Sequence, residues 1–97
     1  MLEIGSMDGD VRLLVGSSFL PEDATRIHEL VERAPPGTHV EIDFHRVRDC
    51  HDAALSQLAC DIVAGRAVIA LHGTSQHQQR LLRYLGVRGG ASAANAS

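Results

Sequence analysis

Five groups able to bind a metal or move a proton fall within eight residues: His45, Asp49, Cys50, His51 and Asp52. Imidazole, thiolate and carboxylate together are a donor set for zinc and its neighbours. Their spacing matches no recurrent ligand pattern, and His45 is expected in a turn that points away from a helix beginning near His51. No metal and no other cofactor is therefore expected. Cys50 precedes that helix and has two readings: a thiol activated by the helix N-terminus, or a small residue buried as an apolar one. Burial is the expectation. The stretch His72-Gly73-Thr74-Ser75 falls between a strand and a helix, where free amides could hold an anion, yet one glycine does not make a phosphate loop. His28, His39, His72 and His77 are scattered, with no acid–base partner that spacing would predict, and a pH-sensitive surface stays open as a use for six histidines. No nucleophile elbow, phosphate loop or paired catalytic carboxylate is present. No catalytic residue is assigned, and the chain is not expected to be an enzyme.

Composition narrows the classes further. The 97 residues carry nine arginines, no lysine and twelve acids, for a net charge of -3. Without lysine there is no Schiff-base nucleophile and no phosphate-binding Walker lysine. A basic footprint for nucleic acid is lacking, and Phe19, Phe44 and Tyr84 are too few rings for base stacking. Two cysteines, Cys50 and Cys60, make no disulfide framework and suit a reducing compartment. The sequence contains no run of eighteen apolar residues and no basic segment followed by an apolar one at its start, so no membrane insertion and a cytoplasmic location are expected. An apolar share of 44% suits one folded domain with an aliphatic core.

The elements that would position these groups can be read along the chain. Leu2–Met7 alternates apolar with polar or small residues, Asp8-Gly9-Asp10 supplies a turn, and Val11–Gly16 is β-rich. This predicts a hairpin with its first strand at a sheet edge. Pro21-Glu22-Asp23 opens a helix carried by Ala24, Ile27, Leu30, Val31 and Ala34 and stopped by Pro35-Pro36-Gly37. Thr38–Phe44 is a strand with Val40, Ile42 and Phe44 on its inner face and His39, Glu41 and Asp43 partly in solvent. A second helix is predicted from about His51 to Ala64, with Ala54, Leu55, Leu58, Ala59, Ile62 and Val63 as its apolar stripe, Asp49 as its cap and Gly65 at its end. Ala67–Leu71 is a continuous apolar run, predicting a strand covered on both faces. After Gly73, Thr74 or Ser75 would cap a third helix ending at Leu85, with Leu81, Leu82 and Leu85 inward. The order is β-β-α-β-α-β-α, an α/β sandwich with a mixed, mostly parallel four-stranded sheet and three helices. Residues 1–87 form the domain, and 88–97 read as a disordered tail.

From about Asp10 to Val87 this order resembles the STAS domain, the family of bacterial anti-sigma factor antagonists and of the cytoplasmic domains of sulfate transporters. The resemblance rests on Val40-Glu41-Ile42-Asp43-Phe44-His45-Arg46-Val47, on Leu55, on the strand between Gly65 and Gly73, and on Gln79 through Val87 with its terminal Gly-Val. It implies a non-enzymatic protein-interaction module in partner-switching signalling that acts on transcription. The implied partner is an anti-sigma factor that is also a serine kinase. The implied docking residues are His51, Asp52, Ala53, Leu55 and Gln57, while Asp43 and Gly73 are implied to serve the geometry of the loops. A second implied role is that of an accessory subunit docked on the ATPase of an ABC-type lipid transporter. Self-association as a homodimer stays open.

The family's loop usually reads Asp-Ser-Ser-Gly-Leu, with a phosphorylated serine. Here His51-Asp52-Ala53-Ala54-Leu55 stands in its place, and Asp52 occupies the phosphoacceptor position. The phosphosite is lost. One reading gives Asp52 a permanent charge that imitates the phosphorylated form, since a phosphoserine brings roughly -1.5 to -2 charge to the same helix mouth. The other makes Asp52 a first-turn acid that stabilises its helix by roughly 0.3–1 kcal/mol. Ser17, Ser18 and Ser56 are the nearest remaining hydroxyls.

Overall fold

The computed structural model describes residues 2–7 and 9–87; the tail expected at 88–97 lies outside them. Leu2–Met7 (β1) and Asp10–Val15 (β2) pair antiparallel, with Leu2 opposite Val15 and Met7 opposite Asp10. Ser18–Phe19 (β3) leads into the helix Pro21–Arg33 (α1), followed by His39–Asp43 (β4), Asp49–Cys50 (β5), the helix Asp52–Ala64 (α2), Val68–His72 (β6) and the helix Gln76–Tyr84 (α3). The main sheet runs β1-β2-β4-β6, with β1 antiparallel at one edge and the two inner joints parallel. This is the small mixed α/β fold expected. The two-residue strands β3 and β5 are additional, and pair parallel with each other. Segments so short carry no periodicity that a sequence pattern could expose.

Both crossovers, β2 to β4 through α1 and β4 to β6 through α2, step in the same direction. Being right-handed, they put both helices on one face of the sheet. Val40, Ile42, Ile69 and Leu71 are buried beneath them, and Arg12, Glu41 and His72 look out from the other face. This corrects the expectation for the fourth long strand. β6 is the second edge, its burial alternates, and Val68 is 51% exposed. A run of apolar residues cannot tell a doubly covered strand from an edge strand whose outer face is merely small and aliphatic.

Local signals decide the helix ends. Pro21 takes the first position of α1, and the Asp23 carboxylate turns back to accept the Leu20 amide at 2.9 Å. At the other end, Arg66 donates to the carbonyls of Val31 (3.2 Å) and Glu32 (2.9 Å), partners left open by the last helical turn. Gly65 ends α2 at φ +73°, a left-handed conformation that side chains disfavour. In α3, Ser75 Oγ accepts from the Gln78 amide (3.1 Å) and Gln78 Oε1 accepts from the Ser75 amide (2.9 Å), a reciprocal capping box. α2 differs from the sequence reading at two points. Its cap residue is His51 with no side-chain bond, because Asp49 is drawn into β5. Val63 is 59% exposed, and Asp61 is buried instead.

Candidate partner-docking site

The start of α2 is held by three neighbouring segments. The amide of Phe44 donates to His72 O (2.7 Å), and the amide of Val47 to Phe44 O (3.0 Å). Asp43 Oδ1 accepts the His45 amide at 2.8 Å, so the acid at the strand end sets the turn that follows it. Further on, the amides of Arg48 and Asp49 both donate to Ser17 O (2.7 and 3.0 Å), and His51 N donates to Phe19 O (3.1 Å). These bonds tie the loop before α2 to the loop before α1, and bring Ser17 and Ser18 to the same end of the sheet. Below them the rings of Phe19 and Phe44, both buried, meet edge to face at 5.0 Å. Such a pair adds about 0.5–1.5 kcal/mol to the burial of its rings. Gly73 closes the third side. A Cβ there would stand 2.9 Å from His45 N and 3.0 Å from its Cα, and its φ is +73°. Only glycine lets the loop after β6 approach so closely.

On this platform His51, Asp52 and Ala53 are exposed and adjacent, with Asp52 the first residue of the helix. Gln57 lies one turn on, half-buried. Leu55 is 1% exposed: its side chain belongs to the core and anchors the helix rather than facing outward. The outward side of α2 continues with Ser56, Cys60, Val63 and Ala64. After Asp52 it carries no charge. The helix has one other ionisable carboxylate, Asp61, and that one is buried. A helix exposed to solvent normally shows a charged outer face, so an uncharged one marks a surface suited to being covered.

Cys50 is half-buried, and its pKa is pushed up to about 11, first by burial and then by the negative Asp52. That removes the reading of an activated thiol, since burial first and the negative Asp52 second both disfavour the thiolate. Among the described residues no three His, Cys, Asp or Glu side chains converge as metal ligands. No helix among them is long and apolar enough to cross a membrane.

Folding pairs three histidines with acids, two of them far away in sequence. His28 Nδ1 meets Asp61 Oδ1 at 2.7 Å across the α1–α2 contact, and its Nε2 lies 3.5 Å from Glu32. The His28 pKa is raised, chiefly by the Asp61 hydrogen bond and charge. Asp61 Oδ2 is buried without a hydrogen-bond partner among the described residues. His72 Nε2 bonds Glu41 Oε1 at 3.0 Å, and Arg12 reaches the other oxygen of Glu41 at 3.7 Å. His45 Nδ1 lies 3.6 Å from Asp43. Local spacing predicts no such partners because the two longer pairings span 33 and 31 residues. Arg12, Glu41, Asp43, His45 and His72 line a hollow of about 710 Å³ on the open sheet face, with no Ser, Thr or Cys among its lining residues. It gathers carboxylates and imidazoles on one surface. A scan against protein-family models finds no match for this chain, and no curated protein matches it.

Proposed function

We propose that the protein is a non-enzymatic interaction module of the STAS type, docking a protein partner on the first turns of α2 and the loops beside them. The observation that carries this is the outward face of α2: Ala53, Gln57 and Cys60, uncharged, rising from an exposed Asp52 at the helix mouth. An uncharged surface of small side chains costs little to desolvate, and one acid at its rim gives orientation. The partner class that fits the family resemblance is an anti-sigma factor with serine-kinase character. Asp52 holds one fixed negative charge where the family carries a serine, so the affinity for the partner is set once and not by phosphorylation.

The test is recovery of partners from the native organism with wild type, Asp52→Ser and Asp52→Ala as baits, followed by titration of the purified partner. Asp52→Ser and Asp52→Ala are expected to shift affinity together, and Asp52→Ser incubated with the cognate kinase to return to the wild-type value. Equal binding by all three would remove the fixed-charge mechanism. Recovery of a transporter ATPase in place of a kinase-like partner would move the protein to the transport role. A bait carrying Gln57→Glu and Cys60→Glu that still binds as wild type would remove the α2 surface itself.

A further inference from the structure

We infer that two copies of this chain join along β1, antiparallel about a twofold axis through Ile4, into one continuous eight-stranded sheet. The surface lies at the edge away from β6 and leaves the outer face of α2 free. It does not depend on the partner-docking proposal.

β1 is a six-residue edge strand, LEIGSM, whose one charge is Glu3. It has no lysine, no proline and no inward charge, the devices that keep edges from pairing. Met7 and Asp10 flank a two-residue turn, so they form a hydrogen-bonded pair, and such pairs then alternate along the hairpin. Glu3, Gly5 and Met7 therefore direct their backbone groups to β2, and Leu2, Ile4 and Ser6 direct theirs outward. A twofold axis normal to the sheet at Ile4 sets Ile4 against Ile4 and Leu2 against Ser6 of the second copy. Every outward amide and carbonyl then meets its complement, and each side chain stays on its own face of the sheet.

The helix side supports the same axis. Between β1 and α1 lies a trough of about 440 Å³ with Ile4, Val11, Leu30 and Ala34 as its apolar floor. Ile4 is 52% exposed there, because α1 stops short of the edge. Arg26, Glu29 and Arg33 of α1 line the trough, and Glu22 precedes them one turn back on the same helical stripe; the four alternate in sign, and none closes a salt bridge among the described residues. His28 and Glu32, by contrast, turn to Asp61 of α2 and to Arg66 just beyond its end. A twofold axis opposes two α1 helices antiparallel. It sets Arg26 against Glu29 and Glu22 against Arg33 of the second copy, so each charge meets its opposite. On the open face, the second copy's Gly5 leaves no side chain between Glu3 and the second copy's Arg12.

Sedimentation of the full 97-residue chain tests this, with a species of twice 10.4 kDa expected. Ile4→Lys, and separately Arg26→Glu, should each raise the dimer dissociation constant by about tenfold or more. Arg26→Glu combined with Glu29→Arg should recover most of that loss, because the reversed pair is again complementary. Amide exchange at Ile4 should slow as the protein concentration rises. A monomer at all concentrations would overturn the inference, and so would a dimer that none of these substitutions weakens.

Discussion

Gly65 and Gly73 share a φ of +73° but have different surroundings, and replacing each by alanine separates two costs. At Gly65 the new Cβ finds its nearest atom, Val63 O, at 3.9 Å, an ordinary contact. Its penalty is then the left-handed conformation alone, about 1–2 kcal/mol. At Gly73 the same conformational cost applies, and the Cβ also stands 2.9 Å from His45 N and 3.0 Å from His45 Cα. Those are backbone atoms, held by the Asp43–His45 bond at 2.8 Å, and no rotamer change relieves the overlap. Overpacking adds about 1–3 kcal/mol, for a total near 2–5 kcal/mol. That is a large share of the roughly 5–15 kcal/mol that holds a domain of this size together. With a urea m-value of about 1–2 kcal/mol/M, Gly65→Ala should lower the midpoint by about 1 M and Gly73→Ala by roughly 2 M or more. Urea melts followed by far-UV circular dichroism measure both. Equal losses at the two positions would refute the close approach of the β6–α3 loop to His45, and with it the account of how the loop before α2 is supported.

Three other outcomes follow from the geometry. The raised His28 pKa means that the folded state binds its proton more tightly, so the His28–Asp61 bond stabilises fully below pH 6.5 and that contribution fades as pH climbs through the higher folded value. The stability gap between wild type and His28→Gln should therefore shrink on going from pH 6 to pH 8, and NMR titration should place the His28 midpoint above 6.5, returning towards it in Asp61→Asn. With Cys50 held to about 11 and half-buried, a disulfide reagent at pH 8 should label exposed Cys60 first, and Cys60→Ser should leave only slow labelling. Arg66→Ala removes two charge-assisted bonds to the last turn of α1 and should cost about 1–2 kcal/mol in the same urea assay, with Arg66→Lys recovering only part.

The chain's own pattern was enough for the three helices, the long strands and their order, because these rest on local rules. Proline opens α1, Gly65 and Gly86 take left-handed conformations at helix ends, and Val40-Glu41-Ile42 alternates as a half-covered strand must. The start of α2 near His51 was likewise legible, and His51, Asp52 and Ala53 are exposed there. Tertiary structure alone decided the rest. Whether β6 was central or an edge depended on the direction of two crossovers, which no residue of β6 encodes. Asp61 and Val63 traded places because α2 turns one side to α1 and its partner His28 lies 33 residues away. The same physical reason covers the Glu41–His72 pair, the Ser17 carbonyl that collects two amides, and the space that only Gly73 can occupy: each joins segments brought together by the sheet, and contacts of that range leave no periodic trace in the chain.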